Sequence, residues 1–453
     1  QVSRSEMSDP EDADPCAPQG SLGPDASASS NAAGKPAVEP PTSGPSLIFT
    51  GGGDFLAKYE HALPAQDTLR NRKGRSATPG GPEPRNVQLN TQLVQAKTLD
   101  RVLQVVASQM DHFNAVNLIT ALHRMATLVT GPRRANVRRD MRFKKLTSRF
   151  LELLRTTEVG QLKPQDLSNA AWALTKLGLL NAVLFNHLSE HSRNTIEAFE
   201  PVNLSMALWA FARAGFMEEK FFNVAAAEVK KQINGFQPQQ IANTTWAMAK
   251  SQFIDEELFN VAAEFALEHL SAFQPMNHSM LLYSFALAKV RHEKLFLEVA
   301  KQFDAKALTA ASSAPHVITN MALAYGEANM ASQEVFAEFA TAAISMLGDF
   351  RTQQLATLAQ AFATAGVAHQ QLFNSISSAV VSRLVEFRHQ DLQDLLAAYE
   401  TLQMSTTQIE KAMDAQDGSQ QSDRNRFTMN LTLLLAIFCV VTLLWRLTVH
   451  PDG

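Results

Sequence analysis

The sequence predicts an all-α fold, an α-solenoid of about eight two-helix repeats (37-residue period) plus one C-terminal transmembrane helix. Three observations lead to this prediction. A short motif returns every 37 residues, apolar residues within each copy recur at helical spacing, and a stretch near the C-terminal end carries no charge. Because one helix pair cannot bury its apolar side alone, neighbouring repeats are expected to stack into one continuous core.

In four repeats the first half begins at a proline, here numbered position 0, and carries an aromatic residue at position 8, and weaker copies follow them. Upstream, residues 113–126 align in the same register, with Ala115 at position 0. A proline suits the first turn of a helix, so we expect eight first helices between residues 113 and 404. The starts after Ala115 are Pro164, Pro201, Pro238, Pro275, Pro315, Thr352 and His389.

The second half of each repeat predicts a second helix that follows an acidic or polar turn. In residues 255–273, Glu256 and Glu257 lie in the first turn, where negative charge suits the helix dipole. The helix ends in a phenylalanine just before the next position 0. Each repeat is therefore expected to be a helix pair.

The composition divides the chain into five regions. The N-terminal head is rich in Pro, Ser, Gly and acidic residues with few aromatics, which is typical of disorder. The predicted regions are a disordered head and linker (1–90), the helical-repeat solenoid (91–404), a polar linker (405–426), a transmembrane helix (427–445) and a short tail (446–453).

Residues 427–445 contain no charged side chain and lie between Arg426 and Arg446. At 1.5 Å per residue they span roughly 28 Å, close to the hydrocarbon core of a bilayer at about 30 Å. They predict one helix in the lipid bilayer, and a buried core helix is the alternative. Basic residues flank both ends, so the positive-inside rule does not orient the segment.

Polar and small residues recur in the first helices at positions 2, 5, 9 and 12, which share one helical face. Amides suit base edges and cations suit phosphates, which favours RNA binding. The alternative is that the polar residues serve helix starts and that the small residue at position 9 lets helices approach closely. The candidate RNA-binding residues on this face are Asp166, Asn169, Lys176, Asn203, Arg213, Gln240, Asn243, Lys250, Asn277, Asn320 and Gln354.

Charge is distributed unevenly along the repeats. Residues 164–404 contain 15 Lys and Arg against 23 Asp and Glu, a net formal charge of -8, whereas residues 124–163 contain 11 against 3, a net of +8. Part of the basic cluster lies in an insertion that lengthens the first repeat step from 37 to 49 residues. We interpret it as a nucleic-acid-binding loop, with a membrane-headgroup contact or a solvated face as alternatives. Its candidate phosphate contacts are Arg133, Arg134, Arg138, Arg139 and Arg142.

No catalytic or metal-binding arrangement is visible in the sequence. The histidines are scattered, HExxH and GxSxG are missing, and the two cysteines, Cys16 and Cys439, are far apart. We therefore expect a protein that is not an enzyme and that has no cofactor or metal.

The motif seen as 164-PQDLSNAAWALTK-176 and 238-PQQIANTTWAMAK-250 resembles the 37-residue helical repeats called heptatricopeptide repeats. It is also similar to octotricopeptide and FAST-kinase-like repeat proteins and to the helical domain of the RNA-editing substrate-binding complex. The resemblance covers about residues 94–404. It implies single-stranded RNA binding in mitochondria or plastids, without chemistry of the repeats themselves. This chain departs from the family by lacking a RAP-type domain after the array.

The leading hypothesis is a membrane-anchored helical-repeat RNA-binding protein that acts in organellar RNA processing, editing or stability. Its expected partners are single-stranded RNA, the lipid bilayer through one helix, and proteins on the solenoid surface. Its expected location is a single-pass membrane position in a mitochondrion or plastid. The alternative is a membrane-tethered protein–protein interaction scaffold, which the acidic array favours.

Overall fold

The computed structural model describes residues 84–129, 133–311 and 314–414. Within these ranges the chain forms helices, short 3-10 turns and no β-strand, so the all-α prediction is confirmed there. Residues 407–414 are also helical. The helices are α1 (Pro84–Gln95), α2 (Leu99–Gln109), α3 (Ala115–Leu128), α4 (Arg133–Arg139), α5 (Met141–Thr156), α6 (Pro164–Leu177), α7 (Ala182–Asn194), α8 (Pro201–Arg213), α9 (Glu219–Gln232), α10 (Pro238–Lys250), α11 (Glu256–Glu268), α12 (Pro275–Ala288), α13 (Glu293–Ala300), α14 (Ala305–Thr309), α15 (Ala314–Glu327), α16 (Gln333–Ser345), α17 (Thr352–Thr364), α18 (Gln370–Ser382) and α19 (His389–Thr401).

The helices form two rows, as an α-solenoid requires. The first helices of repeats 1 to 8 are α3, α6, α8, α10, α12, α15, α17 and α19, and each packs on the first helix before and after it. The second helices of repeats 1 to 7 are α5, α7, α9, α11, α13, α16 and α18. They form an outer row that packs in the same order, except that α13 and α16 do not pack closely on each other.

The prolines and phenylalanines of the repeat set where each first helix begins. A proline occupies the first turn of α6, α8, α10 and α12, where its missing N–H leaves no hydrogen bond unmade. Before three of these helices, Phe199, Phe236 and Phe273 are only 1%, 5% and 6% exposed. The buried ring anchors the connection, so the next helix starts in the same register.

Position 9 brings neighbouring first helices close together. Ala210 and Ala247 have no exposed surface. The Thr175 hydroxyl of α6 donates a hydrogen bond to the Ala210 carbonyl of α8 at 3.1 Å. A Cβ added at Gly326 in α15 would lie 3.0 Å from the Ala361 carbonyl oxygen of α17. The small residues at position 9 therefore serve helix packing.

Phenylalanines fill the core between the two rows. Phe185 of α7 meets Phe211 of α8 edge to face, with ring centroids 5.2 Å apart. Phe259 of α11 meets Phe285 of α12 in the same way at 5.1 Å. Such pairs contribute about 0.5–1.5 kcal/mol beyond their burial. In each pair, the first ring belongs to a second helix and the other ring stands at position 10 of the next first helix. Position 10 therefore faces the outer row.

Helix α1 begins at Pro84, within the range 1–90 that the sequence predicts to be disordered or linker. Leu89 and Leu93 are 3% and 0% exposed, and α1 packs against α3 as an additional first helix would. The reason is the i, i+4 spacing of these leucines, which gives the segment one apolar stripe. The other domain boundaries stay predictions.

The basic insertion is not the loop that the sequence predicts. Residues 133–139 form α4, in which Val137 is 2% exposed, and α5 begins soon after at Met141. Asp140 separates the two helices and accepts the Arg142 backbone N–H at 2.8 Å. A buried valine among arginines makes the segment amphipathic, and packing of that side favours a helix.

No helix in the three described ranges is long and apolar enough to cross a membrane. The transmembrane helix predicted at residues 427–445 and the tail after it lie outside the described residues, as do residues 1–83. The membrane helix therefore stays a prediction.

Candidate nucleic-acid interface

One side of each first helix faces away from the second helices. Position 10 faces the outer row, as Phe211 and Phe285 show. At about 100° per residue, positions 1, 5, 8 and 12 lie on the opposite side of the helix. We call these four positions in successive repeats the inner face. In repeat 4 they are Gln239, Asn243, Trp246 and Lys250.

Position 8 carries a row of aromatic side chains along repeats 1 to 5. The rings of His123 and Trp172 lie 4.8 Å apart, and those of Trp209 and Trp246 lie 6.3 Å apart. The three tryptophans are between 2% and 5% exposed. The row continues to Tyr283, which is half-buried. These aromatic side chains are packed beneath the inner face. Too little of their ring surface is exposed for RNA bases to stack on them.

Position 5 alternates between amides and methionines. Asn169, Asn243 and Asn320 occupy it in repeats 2, 4 and 6, and Met206 and Met280 occupy it in repeats 3 and 5. All five side chains are at most 5% exposed. Neither Oδ1 nor Nδ2 of Asn243 has a hydrogen-bond partner among the described residues, and Nδ2 of Asn320 has none there either. Each unpaired buried group costs about 1–3 kcal/mol, although the methionines show that an apolar side chain fits this position.

Position 2 serves the starts of the first helices. Oε1 of Gln240 accepts the Gln237 backbone N–H at 2.9 Å, and Gln354 makes the same contact in repeat 7. The Asn203 side chain reaches the neighbouring first helix, where its Nδ2 lies 3.4 Å from the Ser168 hydroxyl. These contacts match the helix-start alternative. RNA binding by these amides stays a prediction.

The two remaining candidates at position 2 are also enclosed. Asp166 and Asn277 are 6% and 7% exposed. Burial raises the pKa of Asp166, and the nearby charge of Lys163 opposes that shift. Neither residue belongs to the inner face, so their contact with RNA is likewise only a prediction.

The cations at position 12 lie at the C-terminal ends of the first helices. The Lys176 ammonium lies 5.6 Å from the centroid of the Trp172 ring, within the range of a cation–π contact. Arg213 and Lys250 are exposed. Positive charge at the C-terminal end of a helix also interacts favourably with the helix dipole. These side chains therefore stabilise their helices and are placed to bind phosphate.

Sequence reasoning misses position 1, where the structure places further amides on the inner face. Gln165, Gln239 and Gln353 are half-buried, and Gln390 is exposed. They stand four residues before position 5, which is one turn away on the same side of the helix. A position-by-position comparison that included position 1 would have found them.

Helix α4 brings two of the predicted arginines to the end of this face. The Arg138 guanidinium donates to the Gly178 carbonyl at 3.1 Å. Gly178 ends α6 with a φ of 73°, a left-handed conformation that favours glycine. Helix α4 therefore meets the end of α6 that carries Lys176. Arg139, the next arginine of α4, is exposed.

Two of the other predicted arginines, Arg134 and Arg142, are less available. Nη2 of Arg142 lies 2.6 Å from Oδ2 of Asp140, and hydrogen bonds from Arg142 hold the pKa of that carboxyl below its usual value. Nε of Arg134 is buried and has no partner within the described ranges. The side chain of Arg133 lies outside the described residues.

The titratable groups in the described ranges include no cluster of His, Cys, Asp or Glu placed to hold a metal ion. Two histidines of the first helices are buried instead. Burial, helped by Arg124, lowers the pKa of His123 to about 4. Burial also lowers the pKa of His278 to about 4, although a hydrogen bond with the Leu270 carbonyl opposes the shift. Both are packing residues that are neutral at pH 7.

Residues 125–314 match one family model. Its description is RNA-editing substrate-binding complex 6 protein, and the match covers repeats 2 to 5 in full. It supports an RNA-editing-associated helical-repeat family, while the finer grouping with heptatricopeptide, octotricopeptide and FAST-kinase-like repeats stays a prediction. No curated protein sequence is significantly similar to the chain.

Proposed function

We propose that the protein binds single-stranded RNA along the inner face, as a non-catalytic component of an RNA-editing complex. The family match supports the RNA-editing part. The observation that carries the RNA-binding part is the Asn243 side chain. Its amide is buried on the inner face, and both of its polar atoms lack partners among the residues that the structure describes.

An RNA base supplies what the Asn243 amide lacks, because base edges carry paired donors and acceptors. Gln239, one turn earlier, adds a second amide, and Lys250, two turns later, adds a cation suited to phosphate. The Asn243 amide is covered in the free protein. We therefore expect the longer Gln239 side chain to move aside when RNA binds.

The alternation at position 5 defines how the repeats would share the RNA. Repeats 2, 4 and 6 would recognise base edges through asparagine, and repeats 3 and 5 would offer the apolar surface of methionine. If each repeat takes one base, the array contacts on the order of seven or eight nucleotides.

The basic helices α4 and α5 supply the positive charge that the repeats lack. Arg139, Lys144 and Lys145 are exposed, and the contact of Arg138 with Gly178 holds α4 against the end of α6. RNA that leaves the inner face at repeat 2 would meet these cations. The acidic charge of the later repeats would direct the strand toward this end.

A protein-interaction scaffold is the second candidate function, and one surface feature favours it. Leu180, Met217 and Ile254 occupy position 16 in repeats 2, 3 and 4 and are 56%, 49% and 42% exposed. Exposed apolar side chains in one register are typical of protein interfaces. Salt separates the two candidates, because RNA affinity falls steeply with added salt and apolar docking does not.

Membrane attachment and compartment belong to this proposal as well. The uncharged residues 427–445 support a single bilayer-spanning helix. The match to an RNA-editing-associated family supports a mitochondrial location. Fractionation of the full chain in its own cells, with carbonate extraction of the membranes, tests both points.

The Asn243→Met variant tests the RNA-binding proposal most sharply, because Met206 and Met280 show that methionine fits the position. Removing an unpaired buried amide should raise the melting temperature. RNA affinity should fall about tenfold, because one base contact is worth about 1–3 kcal/mol. Fluorescence anisotropy with a labelled random-sequence RNA of roughly twenty nucleotides measures the affinity.

Thr244→Val is the matched control, because it removes another buried hydroxyl or amide group without a partner in the described residues, from the same helix and outside the inner face. It should leave RNA affinity unchanged. If Asn243→Met binds RNA as tightly as the unmodified protein does, the amide has no part in recognition and the proposal fails.

A further inference from the structure

The outer row of second helices is interrupted between repeats 5 and 6. Helix α13 has 8 residues and ends at Ala300, whereas α11 and α16 each have 13. The chain then restarts at Asp304, which caps the short helix α14. Helix α16 packs on α14 and not closely on α13. The last turns of a second helix are therefore missing from their usual place.

A half-open crevice of about 170 Å³ lies at this interruption. Its walls include Phe303, Met321, Tyr325 and Phe339, and Glu334 and Glu338 also line it. The Tyr325 hydroxyl is engaged, since it donates to the Phe296 carbonyl at 2.7 Å. The crevice is thus apolar inside and is lined by two carboxylates, of which that of Glu338 accepts the Ala305 backbone N–H at 2.6 Å.

Among repeats 2 to 7, repeats 2 and 3 alone have a cation at position 29, Arg193 and Lys230, and the junction after repeat 3 shows how it is used. Between repeats 3 and 4, the Lys230 ammonium at the end of α9 lies 3.0 Å from Asp255 and 2.6 Å from Glu257. Val229, next to Lys230, is fully buried. The last turn of one second helix therefore brings an apolar side chain and a cation onto the acidic start of the next.

The junction between repeats 5 and 6 keeps the carboxylate at position 19, has Ser332 in place of Asp255 at position 17, and has no cation at position 29. Glu334 stands at position 19 of repeat 6, where Glu257 stands in repeat 4. Position 29, which holds Lys230 in repeat 3, holds Asp304 in repeat 5. The crevice is therefore matched in shape and in charge to a segment that repeat 5 does not provide.

We propose that this crevice binds a helical segment of a partner protein that presents a large apolar side chain beside a lysine or arginine. The segment packs at the missing last turn, with its apolar side chain in the crevice against Phe303 and Phe339 and its cation at Glu334. This docking site is separate from the inner face, because it opens in the outer row.

A peptide taken from this chain is the probe, because it carries the chemistry of the junction after repeat 3. Residues 223–236, NVAAAEVKKQINGF, include Val229 and Lys230. The labelled peptide is titrated into the intact protein and followed by fluorescence anisotropy. We expect saturable binding that weakens about tenfold when the peptide carries Lys230→Glu.

Two variants of the protein locate the binding. Ala300→Phe fills the crevice and Glu334→Lys reverses its charge, and each should weaken peptide binding at least tenfold. Gln371→Lys is the matched control, because it lies at position 19 of repeat 7 and should leave binding unchanged. Circular dichroism melting confirms that each variant is folded.

The proposal is overturned if the peptide does not bind, or if its binding survives both Ala300→Phe and Glu334→Lys. RNA affinity should be the same in these variants as in the unmodified protein. Loss of peptide binding with unchanged RNA affinity therefore supports the docking site whatever the outcome for the inner face.

Discussion

Repeats 2 to 4 and repeats 5 to 6 share one helix plan and differ on both of their surfaces. On the inner face, repeats 2 to 4 have tryptophan at position 8 and a cation at position 12, whereas repeat 5 has Tyr283 and Leu287 and repeat 6 ends in Glu327. In the outer row, Lys230 closes one junction, whereas the junction between repeats 5 and 6 holds a crevice. A repeat array can thus carry different binding surfaces at different repeats without a change of fold.

Truncation of the aromatic row should show the largest difference between the two regions. Trp209→Ala should lower the free energy of unfolding by about 3–5 kcal/mol, because Trp209 is 5% exposed and packs on Trp246. Tyr283→Ala should cost less, because Tyr283 is only half-buried. Urea unfolding followed by circular dichroism measures both. Equal losses would show that the row is one uniform structure along repeats 2 to 5.

Acid should destabilise the array through two buried histidines, His123 of repeat 1 and His278 of repeat 5. The pKa values of His123 and His278 are lowered to about 4, so between that value and about 6.5 the unfolded chain binds protons that the folded chain does not. Stability is therefore complete above about pH 6.5 and falls as the pH drops, by up to about 3 kcal/mol for each histidine.

Replacement of one histidine isolates its share of the acid effect. His278→Phe should reduce the difference in melting temperature between about pH 7.5 and about pH 5, because phenylalanine does not titrate. The aromatic neighbours Phe273 and Phe303 make a ring the natural substitute. An unchanged difference would show that His278 is not the titrating group.

Substitutions of two neighbouring glutamines should distinguish a helix-capping role from RNA contact. Gln240→Ala should lower stability by about 1 kcal/mol, because its side chain caps α10 through the Gln237 N–H. RNA affinity should stay the same. Gln239→Ala should lower RNA affinity, since position 1 belongs to the inner face. Thermal melting measures the stability of both variants, and fluorescence anisotropy measures their RNA affinity. A loss of RNA affinity in Gln240→Ala alone would contradict the assignment.

The ion pair at the junction of repeats 3 and 4 should give the smallest effect. Lys230→Met should lower stability by about 0.5–1 kcal/mol, because the lysine is partly exposed and its apolar stem is preserved. The loss should shrink in added salt, which screens such pairs. A loss above about 2 kcal/mol would mean that this junction depends on its ion pair more than on apolar packing.

The helix plan could be predicted because it repeats. The prolines from Pro164 to Pro275 and the phenylalanines before them recur at a fixed period, and apolar periodicity needs no knowledge of partners. The starts of the four first helices from α6 to α12 follow from that alone. The break after Ala300 has only a weak sequence signal, a repeat step of 40 residues in place of 37, because the break depends on how α14 packs against α16.

The candidate site was harder to predict because one residue type serves two purposes. Gln240 and Asn243 are both amides near the start of α10, and only the structure shows that the first caps the helix while the second is buried without a partner in the described chain. Position 1 escapes notice because Gln239 adjoins the capping position. The α4 helix escapes because Gly131 and Pro132 before it are typical of loops.

The location of bound RNA tests the central claim most directly. The intact protein is crosslinked by ultraviolet light to a 4-thiouridine-containing single-stranded RNA, and the modified residues are identified by mass spectrometry. We predict crosslinks at the inner face of repeats 2 to 4, at or next to Gln239, Trp246 and Lys250, that are lost in Asn243→Met. Crosslinks confined to the second helices, or unchanged in that variant, would contradict the account.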